Sequence, residues 1–242
     1  MAISLKDKVV LVIGASSGIG RATALLFAGA GAKVVASARR ADRLRELEEE
    51  AAGAGFAVKV QAADASKAEE MKKLVDGTQS SLGPIDILVY AAGTNIPARA
   101  LSVLNPETWN MMLDSNLNGA YYATYAVLPG MRAAKGGLLL YISSISGLMA
   151  DASGASYQAA KRGLVGLAHA ARFEERQNGI RTCVVCPGLV DTELVQKRPV
   201  KPTREILEAA LQPEDVAEMI IAIASLPPRA VVPEIQILPT TL

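Results

Sequence analysis

Two residues in the stretch "SYQAAKRG" (156–163) are able to do chemistry together. Tyr157 and Lys161 place a phenol and an ammonium four positions apart. On a helix that spacing puts both on one face, one turn from each other. A free phenol titrates near 10, so phenolate is scarce at neutral pH. A cation one turn away favours the ionised form, so the pair predicts a Tyr157 of lowered pKa that gives and takes a proton. Ser144 stands thirteen residues before Tyr157, with Ser143 beside it, at the end of the apolar run "GLLLYISS" (137–144). Strand C-terminal ends are where open α/β sheets bind ligands. A pair of turn serines is the plainer account of the same two residues.

A second constellation opens the chain. "GASSGIG" (14–20) follows the apolar run "VVLVI" and leads into the helical pattern "IGRATALLFAGAG". Gly14, Gly18 and Gly20 allow a sharp turn and close approach of backbone to a ligand. The helix start, with Ser16, Ser17 and Ile19 around it, offers free N–H groups and a positive dipole end to a pyrophosphate. The next strand, "KVVASA" (33–38), ends at Ala38 and is followed by Arg39 and Arg40. No carboxylate is available there for the ribose hydroxyls of NAD, whereas guanidiniums suit a 2′-phosphate. The expected cofactor is NADP(H), with Arg39 as its main contact and Arg40 second. Arg43 and Arg45 belong to a solvated helix face. Asp64, ending the third strand, is a candidate for the adenine edge, and equally a turn or N-cap residue.

These groups need a scaffold, and the pattern supplies one. Apolar runs at 9–13, 33–38, 57–64, 85–92, 137–144, 180–187 and 234–239 alternate with helical patterns at 19–31, 42–55, 66–82, 105–133, 153–178 and 205–226. Continuous apolar strands between helices argue for an α/β fold, a doubly wound parallel sheet covered on both faces. No linker or repeat interrupts it, so residues 1–242 are expected to form a single domain. The composition agrees: 50% apolar residues suffice for a large core, built mostly from Ala, Val, Ile and Leu because aromatics are only 4%. A net charge of +1 suggests neither nucleic acid nor an anionic membrane as a partner. No apolar run is long enough to span a bilayer, and the N-terminus has no signal-peptide layout, so a cytoplasmic protein is expected. "CVVC" (183–186) lies in a strand, where residues three apart face opposite sides, and reads as buried and inert. His169, the single histidine, has no ligand cluster in the sequence around it, so no metal site is expected.

Taken together, the motifs resemble those of the classical short-chain dehydrogenase/reductase family. "GASSGIG", "AAG" (91–93), Asn116 in "DSNLNG", "ISS" (142–144), "YQAAK" (157–161) and "PGLVDT" (187–192) occur in that family's order and spacing. The resemblance covers essentially the whole chain. It implies a Rossmann fold and catalytic roles for Asn116, Ser144, Tyr157 and Lys161, Ser144 being preferred to Ser143 by its interval to Tyr157. Tyr157 would be the general acid/base, Ser144 would hydrogen-bond the substrate oxygen, and Lys161 would also hold the nicotinamide ribose. Asn116 would seat a relay water through its backbone carbonyl. The resemblance further implies cofactor contacts from Ala65, Ala92, Gly93, Pro187, Gly188, Val190 and Thr192. One departure stands out: where the family's usual motif reads "NNAG", Tyr90 and Ala91 replace the asparagines. Ser17 also occupies a position where many NADP-preferring relatives carry a basic residue.

The implied function is reversible hydride transfer between NADP(H) and a ketone or aldehyde/alcohol pair, that is, a carbonyl reductase or alcohol dehydrogenase. A non-catalytic dinucleotide-binding regulator, an NAD-preferring alcohol dehydrogenase, and an epimerase or dehydratase are the alternatives. The substrate is expected to be a small molecule. "LVDTELVQKRPVKPTREIL" (189–207) would cover it, its Lys197, Arg198, Lys201 and Arg204 more simply keeping a lid soluble than greeting an anion. Thr94, Met149, Leu189 and Leu194 are expected pocket neighbours. The ending "EIQILPTTL" argues mildly against an acyl-carrier substrate. The apolar helices near 105–133 and 153–178 resemble those that pair subunits in the family. With small residues such as Ala159, Ala160, Gly163, Gly166, Ala168, Ala170 and Ala171, they predict a homodimer or homotetramer. Tyr121, Tyr122 and Tyr125 are assigned to core or subunit packing.

Overall fold

A computed structural model describes residues 3–241. Seven parallel strands form one sheet: β1 (Val9–Ile13), β2 (Lys33–Ala38), β3 (Val58–Ala62), β4 (Ile87–Tyr90), β5 (Gly137–Ile142), β6 (Ile180–Pro187) and β7 (Glu234–Ile237). Their spatial order is β3-β2-β1-β4-β5-β6-β7, so the chain reverses direction across the sheet between β1 and β4. The parallel register is continuous at that switch point: Leu11 pairs with Val35 on one side and with Leu88 on the other. This is the expected doubly wound fold, with a ligand crevice placed beyond the C-terminal strand ends.

Strand periodicity divides the core in two. Val10 and Val12 of β1 point to one face, where Phe27, Leu44 and Ile220 pack. Val9, Leu11 and Ile13 point to the other, against Met71, Val127 and Leu164. The first layer comes from α1 (Gly18–Gly29), α2 (Ala41–Gly53) and α8 (Pro213–Ala224). The second comes from α3 (Ala68–Leu82), α4 (Pro106–Leu113), α5 (Gly119–Ala133) and α6 (Ala155–Glu175). Cys183 and Cys186 fall in different layers, both buried and unpaired, as the strand period predicts.

Two helices differ from the sequence expectation. The pattern at 105–133 is not one helix: α4 and α5 are separated by a π-helical turn, Asp114–Asn118. The Asn116 amide donates to the Met112 carbonyl (2.8 Å) and to the Thr94 carbonyl (3.0 Å), which couples this widened turn to the loop after β4. The pattern at 205–226 is also split, into α7 (Arg204–Ala209) and α8, because Pro213 starts a new helix at its first position. The strands stop two or more residues short of several expected ends; Ser143 and Ser144 lie past β5 and Asp64 past β3. Those residues are thereby released to face the crevice.

Candidate active site

Every residue expected to touch the cofactor lines one cleft of about 440 Å³ at the C-terminal strand ends, from Gly14 and Arg39 to Pro187 and Thr192. Ser144, Tyr157 and Lys161 line it too. Asn116 does not; it is fully buried behind the cleft. Its side chain accepts from the Thr94 N–H (3.0 Å) while donating to the Thr94 and Met112 carbonyls, so it fixes backbone.

The glycine loop is shaped by packing as much as by ligand access. Gly14 has φ +92, and a Cβ there would lie 2.4 Å from the Ala92 nitrogen. A Cβ on Gly20 would lie 2.4 Å from the Gly14 carbonyl oxygen. Both glycines let the turn seat α1 against the strand ends. The start of α1 remains open: Ser17 makes no side-chain cap, and the first turn carries no acidic residue.

Arg39 and Arg40 diverge. Arg40 donates to Ser16 Oγ (3.0 Å), Ser17 Oγ (2.8 Å) and Glu193 Oε2 (2.7 Å), tying the glycine loop to the 189–207 segment. Arg39 makes no hydrogen bond or ion pair among the described residues. It faces the cleft near Asp64. Burial acts to raise the Asp64 carboxyl, but bonds from the Ser66 N–H (3.0 Å) and hydroxyl (2.9 Å), with the Arg39 charge, hold it below the usual range. The turn role of Asp64 is therefore realised, with the carboxylate still at the cleft wall.

Tyr157 and Lys161 share the inner face of α6, as their spacing predicts, with the Lys161 Nζ 5.6 Å from the Tyr157 ring centre. The predicted electrostatics are overturned. The Tyr157 phenol is pushed up to about 12, chiefly by burial; the neighbouring Ser144 hydroxyl, Arg198 and Arg99 oppose this and Asp151 adds to it. Lys161 is pushed down to about 8 by its own burial. Its ammonium donates to the Ile142 carbonyl (2.9 Å) at the end of β5, not to the phenol. Desolvation outweighs the helical-neighbour effect because both groups are nearly sealed, at 7% and 4% exposure. Ser144 Oγ donates to Ser146 Oγ (3.1 Å), which in turn donates to Asp151 Oδ2 (2.5 Å). Ser143 also lines the cleft, but its hydroxyl is engaged, donating to the Lys161 carbonyl (2.9 Å).

The far rim was poorly read from sequence. Thr94, Leu189 and Leu194 line the cleft as expected, but Met149 is 55% exposed and lies outside it. Lys197 and Arg198 line the cleft, whereas Arg204 pairs with Glu208 on the surface. Lys197 Nζ donates to Thr94 Oγ1 (2.9 Å), and Arg99 donates to the Lys197 carbonyl (2.8 Å) and the Ile96 carbonyl (2.8 Å). The expectation of a merely solubilised lid is corrected for these two charges. Arg99 and Asp151 escaped notice because lone charged residues in "NIPARALS" and "LMADASG" carry no periodicity or motif. Among the described residues no cluster could hold a metal. His169 pairs with Glu234 at 3.2 Å, a carboxylate distant in sequence.

The family described as short chain dehydrogenase matches residues 8–202. The chain belongs to the short-chain dehydrogenase family. An uncharacterized oxidoreductase of Listeria monocytogenes is 34% identical, covering 99% of both chains. A metagenomic short-chain oxidoreductase solved in complex with NADP superposes with a TM-score of 0.86 at 32% identity, covering 99% of this chain and 100% of the other. The closed form of a serine dehydrogenase complexed with NADP+ gives a TM-score of 0.86 at 30% identity, covering 95% and 94%. Membership of the short-chain dehydrogenases makes the protein an oxidoreductase by family, and the parallel sheet with its switch-point cleft is the fold these relatives share.

Proposed function

We propose that the protein interconverts a ketone or aldehyde and an alcohol with NADP(H), Tyr157 acting as general acid/base. The observation that carries this reading is the convergence of Ser144, Tyr157 and Lys161 on a cleft whose opposite end holds the unpaired Arg39. The residues fit the cofactor: an uncapped helix start suits a pyrophosphate, and a free guanidinium suits a 2′-phosphate. The NADP-bound short-chain relatives support the same choice. Arg39, Gly18, Ile19, Asp64 and Thr192 would hold it, with Lys161 at the ribose; when bound, NADPH supplies hydride.

The chain's own groups handle the proton. Burial keeps the Tyr157 Oη protonated near neutral pH, so the proton required by a carbonyl oxygen is already in place. The Ser144 hydroxyl leaves Ser146 to donate to that same oxygen as negative charge develops there. Asn116 keeps the 94 loop and the π-helical turn in register behind them. The 189–207 segment covers the substrate and is latched by Lys197 and Arg99. In this reading residues 1–242 act as one domain, in a reducing compartment suited to two free cysteines.

The protein is also proposed to form a dimer or tetramer through α5 and α6. Tyr121, Tyr125 and Phe173 stand 51%, 70% and 64% exposed on these helices. The small residues divide: Ala160, Ala168 and Ala171 are buried within the chain, while Gly166 and Ala170 face outward with Phe173. Sedimentation showing only a 25.3 kDa species at micromolar concentration removes this assignment. The catalytic reading is tested by NADPH oxidation over a panel of ketones, comparing the native chain with Tyr157→Phe. Absence of turnover throughout the panel overturns it.

A further inference from the structure

The substrate end of the cleft carries an excess of positive charge. Arg99, Lys197 and Arg198 all line it, and Asp151 is the acidic residue at that end. Glu193, also in the cleft wall, is held by Arg40 at the glycine loop. Asp151 forms no ion pair with the cations, and its charge favours the Arg99 cation only through space. Its Oδ1 accepts from the Ser153 N–H (2.8 Å), and its Oδ2 from the hydroxyls of Ser146 (2.5 Å) and Ser153 (3.0 Å). No ion pair among the described residues involves Arg99, Lys197 or Arg198.

Arg99 is the unusual member, an arginine only 8% exposed as a residue. Two of its nitrogens, Nε and Nη2, bond backbone carbonyls at 2.8 Å, which fixes the plane of the fork without supplying a counter-charge. Burial first, and then the like charge of Arg198, pulls Arg99 below its ordinary value, while Tyr157 and Asp151 act in the opposite sense. Both charges also reach the Tyr157 phenol. A buried cation held in place without an anion is costly unless an anion arrives with the ligand.

We propose that the substrate carries a carboxylate, bound by Arg99 and Arg198 with Lys197 beside them, so that the carbonyl of an oxo acid is presented to Tyr157 and Ser144. This rests on the oxidoreductase reading above. It names a substrate class, a small oxo or hydroxy acid, and a role for the lid: Arg198 and Lys197 ride on the 189–207 segment, whereas Arg99 sits on the loop after β4. A bound carboxylate therefore bridges lid to body and favours the closed arrangement.

The test uses three oxo acids, pyruvate, acetoacetate and levulinate, each beside its methyl ester, with the full-length protein. Two readouts are taken: kcat/KM with NADPH, and calorimetric binding of acid and ester in the presence of NADP+. At least one acid is expected to exceed its ester by about tenfold or more, the scale of a charge-assisted hydrogen bond. In Arg198→Gln that acid-over-ester ratio is expected to fall about tenfold. Arg198 is exposed, so this variant keeps the packing; Arg99→Gln, checked by its melting temperature, is the companion. Equal acid and ester values for all three pairs overturn the proposal. So does an unchanged ratio in Arg198→Gln, or a loss of NADPH affinity as large as the loss of acid affinity, which assigns the cations to the cofactor. Acid-selective binding that is lost in Arg198→Gln, without turnover of any ketone, sustains the anion site and overturns the reductase reading instead.

Discussion

The Tyr90 hydroxyl donates to the Ser115 carbonyl at 3.0 Å, linking the end of β4 to the π-helical turn that carries Asn116. Tyr90 is completely buried at the centre of the sheet, and its phenol is pushed strongly upward by that burial. Gly119 makes the room: a Cβ there would lie 2.2 Å from the Tyr90 oxygen. The tyrosine that replaces the family's asparagine thus supplies its own tie between sheet and helix. Tyr90→Phe is expected to cost about 1–3 kcal/mol, as for a buried acceptor deprived of its donor. Turnover is expected to fall more than NADPH affinity. Denaturant unfolding with parallel kcat and cofactor titrations checks both, and an unaltered unfolding midpoint denies the bond a structural role.

Tyr157→Phe is expected to keep the packing of α6 and the binding of cofactor while losing about 10²–10⁴-fold in turnover, the usual contribution of a general acid. Retention of more than about a tenth of native kcat would show that the proton comes from elsewhere.

The division between Arg39 and Arg40 sets the cofactor prediction. Arg40 is engaged by Ser16, Ser17 and Glu193, so Arg39 is the residue proposed to carry the discrimination. One charge-assisted contact of about 1.5–3 kcal/mol corresponds to an NADP preference of about ten- to a hundredfold. Ala38→Asp with Arg39→Leu is expected to reverse it, because the new carboxylate accepts from ribose hydroxyls and repels a 2′-phosphate. The ratio of kcat/KM for the two cofactors is the measurement. A native preference for NAD assigns Arg39 to solvent.

Lys161 carries a stability cost in the protein without cofactor. Its pKa is pushed from 10.5 down to about 8 by burial, so keeping it charged opposes folding. Below pH 8 folded and unfolded chains both hold the proton and the cost is present in full. Between about 8 and 10.5 the folded chain has lost a proton that the unfolded chain keeps, and stability rises with pH. Lys161→Met is accordingly expected to raise the melting temperature at pH 7, with an upper limit of about 3 kcal/mol. The gain is expected to shrink toward pH 10.5. Equal melting temperatures across that range would place the ammonium in a well-compensated environment.

Much of the fold was legible because it depends on short-range periodicity. The strand at Val9–Ile13 and the helix carrying Tyr157 and Lys161 follow from apolar runs and glycine turns. The break at Asp114–Asn118 was not, since Asn116 widens the turn by bonding Thr94, 22 residues away in sequence. For the same reason Arg99 was missed: its partner Lys197 lies 98 positions on. The Tyr157–Lys161 spacing was read correctly, yet its electrostatic consequence was reversed. Spacing gives proximity, but burial depends on the whole surrounding structure.

Cys183 and Cys186 look in opposite directions from β6, one into each core layer. Burial raises their thiols to about 12 and about 11, so neither offers thiolate to an alkylating reagent while the layers stay closed. Each sulfur is consequently a clock for the opening of its own layer. Pulsed alkylation read by mass spectrometry distinguishes a sheet that loses both coverings at once, where doubly labelled chains appear without singly labelled ones, from a sheet that sheds one covering first. Strand β6 then reports on the loosening of both its coverings through its two native sulfurs.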